Sequence, residues 1–438
     1  MDPLSYLFSL EKLGIKFGLD NIHAICAALG HPEAACPSVI IAGTNGKGSV
    51  AAMVETGLRV AGHRTGLYTS PHLVGLEERF VIDGRQIDTE SLVAAAATVR
   101  QAVDRALSGG RLETQPTFFE VTTAIGFELF RRAHVSFAVF EVGLGGRFDA
   151  TNIVTPVAAA ITTIDFDHER FLGHTIPAIA AEKAGVIKSG IPVVVGETKP
   201  EALRVFEAVC RERHATMIRA GDGVRAEILG FDGGRAVLDL RTPARTYGRV
   251  PLALRGRHQA SNAVVAVRLL EEIDRLGTRV GADGVVAALG ATRWPGRLDL
   301  LTDATGRQVL CDSAHNPAGA RALAEYLREF HPAGLPIVFG IMKDKDVAGT
   351  LAPLIPFASR LFLTRAHTDR ALPLGALAET ARRLGRDVPS EIEPDPVMAL
   401  ERAWNHARLV CAAGSIFVVG ELVGRLRPDD RRPPGGAH

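Results

Sequence analysis

One run of residues in this chain has the make-up of a phosphate cradle: Gly43-Thr44-Asn45-Gly46-Lys47-Gly48-Ser49, entered from the apolar Ile40-Ile41-Ala42. Glycines let backbone N–H groups approach phosphate oxygens. A helix starting at the end of the loop adds positive potential, and Lys47 adds a point charge. Asn45, Gly46, Lys47, Gly48 and Ser49 are therefore the expected nucleotide-binding residues, with Lys47 acting on the reacting phosphates. The match to the general P-loop pattern is incomplete. Ile41 stands where that pattern has glycine, and Gly48 where it has its first hydroxyl, which leaves Ser49 or a hydroxyl from elsewhere to meet a metal ion. The bland alternative, a glycine turn with a solvated lysine, is disfavoured by the strand before the loop and the helix after it.

A loop of this kind needs a strand and a helix to hold it, and the chain supplies both. Ser38–Ala42 reads as a strand and Ser49–Ala61 as a helix. Ser136–Val142, Val157–Ile164 and Ile191–Gly196 read as further buried strands, with helical stretches at Ser91–Leu107 and Thr175–Ile187 between them. Such alternation predicts a parallel sheet covered by helices. Val224–Leu229, Ala236–Leu240 and Thr246–Leu252 are short strands broken by Gly, Asp and Pro, an antiparallel patch, and a helix runs over Ser261–Leu276. Trp294-Pro295-Gly296 marks a break, after which Gln308–Cys311, Ile337–Ile341, Arg360–Thr364 and Ile416–Val419 read as strands of a second β/α unit. The expected fold class is α/β. A P-loop-type mononucleotide-binding domain over residues 1–294 has a mostly parallel sheet plus a small antiparallel patch. A Rossmann-like α/β domain follows over 295–426, and the Pro-, Gly- and charge-rich tail 427–438 is expected to be disordered.

Length and composition fit this plan. The 438 residues suit two domains, 47% hydrophobic content suffices for sizeable cores, and 45 glycines suit many tight turns. A net charge of +1 gives no bulk attraction for nucleic acid. Cys26, Cys36, Cys210, Cys311 and Cys411 are odd in number and widely spaced, which argues against a disulfide framework or a zinc site. Neither a signal-peptide pattern nor a membrane-length apolar run is evident. A cytoplasmic monomer acting on small molecules, without membrane or nucleic-acid partners, is the expectation.

The Gly43–Ser49 string resembles the ATP loop of the Mur ligase superfamily, and the text around it is similar to the folylpolyglutamate synthase/dihydrofolate synthase family. The resemblance rests on Gly14-Ile15-Lys16-Phe17-Gly18-Leu19, Tyr68-Thr69-Ser70-Pro71-His72-Leu73 with Glu78-Arg79, Thr117-Phe118-Phe119-Glu120, and the run Glu141–Asn152. It continues through Asp167-His168, Glu182–Lys188, His258-Gln259 with Asn262, Trp294–Arg297, Asp312–Pro317 and Met342–Asp346, covering nearly the whole chain in family order. Ser313 replaces the family's usual glycine, and Gly75 and Glu77 its usual Arg and Asn.

The resemblance implies an ATP-dependent ligase. ATP phosphorylates a substrate carboxylate, and the glutamate amine displaces phosphate to form an amide. The acceptors are dihydropteroate and the γ-carboxylate of folate glutamates, which makes a bifunctional enzyme. Mg²⁺ would relieve repulsion between triphosphate and carboxylate, held by Ser70, Glu141 and His168; a monovalent ion (K⁺) beside it is left open. Read alone, Glu141 is a solvated strand end and His168 a surface-loop histidine. Lys183 would be carbamylated, against the plain alternative of a helix lysine paired with an acid. Asn262, Arg297 and Asp312 would contact the nucleotide. His315 would touch the γ-phosphate, or else cap the turn after Asp312. Thr117, Phe118, Phe119, Glu120, Phe148, Asp149 and Ala150 would line the pteroate pocket, although bare phenylalanines more often pack in a core. Two other readings are weighed. A cell-wall ligase taking a UDP-sugar is disfavoured by a phosphate loop so near residue 43. A non-catalytic nucleotide binder is disfavoured by Lys47, Glu141, His168 and Lys183 together.

Overall fold

Ser38–Ala42 (β1) is apolar throughout because it is covered on both faces. Val39 and Ile41 join one core cluster, Ile40 and Ala42 the other, as a central strand of a helix-covered sheet requires. The computed structural model describes residues 2–14 and 16–427. Ile15 and residues 428–438, most of the expected disordered tail, lie outside the described residues. Arg427, placed at the start of that tail, is fixed by an ion pair to Asp299 at 3.2 Å.

The first sheet has eight strands. After β1 come Thr65–Tyr68 (β2), Phe80–Ile82 (β3), Arg85–Gln86 (β4), Phe137–Glu141 (β5), Ala158–Ile161 (β6), Pro192–Val195 (β7) and Thr216–Arg219 (β8). Their spatial order is β4-β3-β2-β5-β1-β6-β7-β8, parallel except at β3 and β4. A three-stranded antiparallel sheet follows, Arg225–Asp232 (β9), Arg235–Arg241 (β10) and Thr246–Arg255 (β11). Ala236, Leu238 and Leu240 alternate inward along β10 and share a core cluster with Val39, Ile41 and the helix His258–Arg275. This is the patch expected from the sequence.

The second β/α unit is a six-stranded sheet: Asp299–Thr302 (β12), Gln308–Cys311 (β13), Leu335–Phe339 (β14), Ala358–Leu363 (β15), Ser390–Ile392 (β16) and Leu409–Ala413 (β17). The order is β12-β13-β17-β14-β15-β16, with only β12 antiparallel. One sequence assignment is corrected here. Ile416–Val419 is not a strand but opens the helix Ile416–Leu426, whose first turn is capped by the Ser415 side chain accepting from the Phe417 N–H. The strand is the preceding Leu409–Ala413. A short β-branched run fits a buried helix as well as a strand, and here capping decides. Among the described residues, no helix is long and apolar enough to cross a membrane.

Candidate functional site

Four neighbouring strands, β2, β5, β1 and β6, end at the same edge of the first sheet, where open α/β sheets bind ligands. Ser70 follows β2, Glu141 ends β5, the phosphate loop follows β1, and Asp167 and His168 follow β6. Register places Ile41 beside Glu141 and Ile161 beside Ala42, so these residues converge although they are scattered in sequence.

The loop Gly43–Gly46 passes close over its neighbours. Gly46 caps the helix Lys47–Val60 at φ 89°, where a Cβ would also collide with Asn262 Oδ1; one at Gly43 would collide with Thr162 Oγ1. Side chains are excluded there by conformation and by space. The loop is braced on β6: Thr44 N–H donates to Thr163 O at 2.6 Å, and Thr162 Oγ1 donates to Asn45 O at 2.7 Å. Lys47 Nζ donates to Thr44 O at 3.1 Å. Burial lowers its pKa, opposed by the charges of Glu141 and Asp167. Ser49 does not face the same centre: it is buried, and its hydroxyl accepts from Gln259 Nε2 at 3.4 Å.

Glu141 is buried, and burial raises its pKa against the pull of Lys47 and a hydrogen bond from Ser70. That bond is the Ser70 N–H to Glu141 Oε2, 3.2 Å. Ser70 Oγ is buried without a hydrogen-bond partner. An orphaned hydroxyl beside a buried carboxylate is a donor set that fits a hard oxygen-seeking cation. His168 lies apart from this pair in its bonding: its Nε2 accepts from Lys345 Nζ at 3.2 Å. Burial lowers its pKa to about 4, which makes it a neutral imidazole at pH 7. Among the described residues no group of three or more His, Cys, Asp and Glu is placed to hold an ion.

Lys183 ends the last turn of the helix Ile176–Ala184 and is 4% exposed. Its Nζ donates to Gly43 O at 2.8 Å, directly behind the phosphate loop. Burial, then the nearby Lys47 charge, bring its pKa down to about 7. The plain alternative, this lysine paired with an acid, does not occur among the described ion pairs.

The second unit faces this edge with a polar network that the sequence reading did not assign. Lys345 Nζ bonds Asp167 Oδ1 at 2.6 Å, and Asn316 Nδ2 bonds Asp167 Oδ2 at 3.1 Å and Asn45 Oδ1 at 3.0 Å. Burial alone would raise the Asp167 pKa, but the nearby His315 and the charge of Lys345 hold it below the usual carboxylate range. His315 Nδ1 lies 2.8 Å from Ser313 O, and its Nε2 lies 3.6 Å from Asp167 Oδ2. The cap of the next helix is Asn316, not His315. Asp167 and Lys345 were visible only as members of the runs Asp167-His168 and Met342–Asp346.

Asn262 donates to Gln259 Oε1 at 2.9 Å beside Gly46. The charge of Arg297 acts on both Lys47 and Glu141. Asp312 accepts from the Leu298 N–H and the Ala314 N–H, both at 2.9 Å, and so orders the linker and the turn.

The expected acceptor-pocket residues divide. Thr117 and Glu120 form a capping box on the helix Phe118–Arg132, and Asn21 Nδ2 adds a 3.3 Å bond to Glu120 Oε2. Thr117→Ala is expected to destabilise the protein by about 1 kcal/mol, read as a lower midpoint in urea denaturation. Asp149 is buried, its pKa raised by burial, and it accepts from the N–H groups of Gly143, Leu144 and Thr151 at 2.9 to 3.0 Å. It shapes the loop after Glu141. Ala150 is buried, while Phe118 and Phe119 are partly buried against the core. Phe148 alone of the set is well exposed, at 40%.

Comparison with known proteins agrees with this arrangement. The Mur ligase middle domain matches residues 41–270, and the Mur ligase glutamate ligase domain matches 296–419. The dihydrofolate synthase/folylpolyglutamate synthase of Bacillus subtilis is 33% identical over 97% of this chain and 99% of its own. The Mycobacterium tuberculosis folylpolyglutamate synthase complexed with ADP superposes with a TM-score of 0.88 at 34% identity, covering 99% of this chain and 100% of that one. A bifunctional folylpolyglutamate synthase/dihydrofolate synthase with Mn, AMPPNP and L-glutamate bound gives 0.83 at 29% identity, covering 98% of each. With both family domains matched in order and relatives aligned end to end, the chain belongs to the folylpolyglutamate synthase/dihydrofolate synthase family of the Mur ligases, which form carbon–nitrogen bonds.

Proposed function

We propose that this chain uses ATP to join L-glutamate to dihydropteroate and to the γ-carboxylate of folate glutamates. The observation that carries this reading is the meeting of Lys47, Ser70, Glu141 and Lys183 at one sheet edge, with His315, Asn316 and Lys345 presented to that edge by the second unit. A division into an ATP-binding domain over 1–294 and a closing domain over 295–426 accords with this layout. A cytoplasmic monomer acting on small molecules is its setting.

In this reading the γ-phosphoryl group passes to the acceptor carboxylate, giving an acyl phosphate and ADP. The glutamate amine then attacks the acyl carbon and phosphate leaves as the amide forms. The chain supplies position and charge rather than covalent catalysis. Lys47 and Arg297 offset the phosphate charge; Asn45, Gly46, Gly48 and Ser49 carry the loop, and Asn262 and Asp312 frame the nucleotide. His315 reaches the γ-phosphate side. Ser70 and Glu141, with His168 once it is released from Lys345, would hold Mg²⁺, which when bound polarises the phosphoryl oxygens; K⁺ beside it belongs to the same proposal. Lys183 is carbamylated, because its amine titrates near neutrality. Thr117, Phe118, Phe119, Glu120, Phe148, Asp149 and Ala150 border the acceptor, with Thr117, Glu120 and Asp149 acting through the loops they brace.

Phosphate release from ATP with glutamate, measured with dihydropteroate and with monoglutamyl tetrahydrofolate, tests the proposal. Release with both establishes two activities and release with one assigns a single activity. Nucleotide binding without release with either acceptor overturns the reading.

A further inference from the structure

A cavity of about 640 Å³ lies behind the linker that joins the two units, a size that suits a small-molecule ligand. Arg235 and Arg255 border it from the antiparallel patch, Arg293 and Arg297 from the linker, and Arg427 from just past the last helix. Asp299 is the one acid among the described residues that line it, and Arg427 pairs with it at 3.2 Å. Arg235, Arg255, Arg293 and Arg297 have no ion pair among the described residues.

Arg235 and Arg255 are direct cross-strand partners on β10 and β11, and like charges placed opposite one another destabilise a sheet. Burial, and then the Arg235 charge, lower the Arg255 pKa. Backbone carbonyls orient both side chains. Arg235 Nε donates to Ala253 O at 2.9 Å, and Arg255 Nε to Gly233 O at 3.0 Å. Arg255 Nη1 reaches across to Leu298 O on the linker at 3.4 Å. An anion set between two such forks accepts hydrogen bonds from both and turns their repulsion into shared attraction.

This cavity is separate from the phosphate loop. None of Gly43–Ser49, Asn262 and Asp312 lines it. The linker stands between: Trp294 borders the cavity and also packs on Gly48, where a Cβ would collide with its ring. The walls come from both units, β10 and β11 of the first and Asp299 and Leu300 of β12 in the second. A ligand held here touches both sides of the joint at once.

We propose that the cavity binds a small polyanion, carrying two or more phosphate or carboxylate groups, and that the bound anion clamps the antiparallel patch to the second unit across the linker. This is a second ligand site, and it stands independently of the ligase reading above.

Isothermal titration of the full chain tests it, with ADP present throughout to fill the nucleotide site. Inorganic tripolyphosphate and tri-γ-glutamate are the two probes. One equivalent of probe is expected to bind the wild type. The Arg235→Gln/Arg255→Gln double variant should bind it roughly a hundredfold more weakly, and the exposed Arg293→Gln roughly tenfold more weakly. Lys47→Ala should leave that binding unchanged. Tighter binding of tripolyphosphate assigns a phosphate ligand and tighter binding of tri-γ-glutamate a glutamyl chain; either upholds the site. Saturating probe should also raise the thermal unfolding midpoint of the wild type and not that of the double variant. A chain that binds neither probe overturns the site, as does binding that survives the double variant or is lost in Lys47→Ala. A double variant that melts lower without probe, together with unchanged binding in Arg293→Gln, marks the arginines as structural and overturns it as well.

Discussion

Lys47→Ala is expected to lower kcat/KM for ATP-dependent glutamate addition by about 10³-fold, equivalent to ~4 kcal/mol of transition-state stabilisation. The ammonium group is part of the loop that would carry the triphosphate, and its one described hydrogen bond is to a loop carbonyl, Thr44 O. Removing it deletes a positive charge beside the buried Glu141, leaving Arg297 and Arg79 as cations acting on that carboxylate. Phosphate release read against ADP binding separates the effects: binding should weaken modestly while turnover collapses. Thermal stability should hold, because the lost bond is local and the buried ammonium is itself costly. A variant that turns over at wild-type rate would remove the phosphate loop from the chemistry.

The second large effect concerns Lys183. Its amine, brought down to about 7 by burial behind the loop, is substantially neutral at physiological pH, the form that adds CO₂. Activity is expected to depend on dissolved CO₂ and to fall as pH drops below about 7, where the ammonium form dominates. Lys183→Met should lose about 10²-fold or more of kcat, with partial rescue by a small added carboxylate such as acetate. A carbamate resonance on labelled bicarbonate, absent in the variant, would report the modification directly. Activity indifferent to CO₂ and absence of that resonance would return Lys183 to a plain buried lysine. Stability gives an independent check. The folded pKa lies below the unfolded value of 10.5, so between about pH 7 and 10.5 the unfolded chain holds a proton that the folded chain has lost. Stability therefore rises with pH through that window, and the burden of the buried amine is fully present below it. Denaturation of CO₂-free protein across this range should show the rise in the wild type and a smaller one in Lys183→Met.

Much of this was legible because it is local. The apolar β1, the glycine-lysine loop and the helix after it follow from residue types over a dozen positions, and the β/α rhythm follows from their repetition. The failures are also local in origin. Ile416–Val419 suits a strand as well as a helix because four apolar residues fit either element, and Thr65–Tyr68 carries a weak strand signal because a glycine interrupts four residues of sheet. The Thr117-x-x-Glu120 capping box is present in the sequence as a pattern, and the structure adds its cap geometry.

What the sequence determined by itself is the family, the α/β class, the phosphate loop and the identity of most polar residues at the sheet edge, since each rests on residue type and order. Only the tertiary structure decided which of them meet. Asp167 and Lys345 are 178 residues apart and bond at 2.6 Å. Ser70 reaches Glu141 because β2 lies next to β5. The acidity of Lys183, His168 and Asp167 likewise comes from burial and neighbouring charge. Those depend on what the fold packs around a group, and a linear sequence carries no record of distance between residues far apart along it.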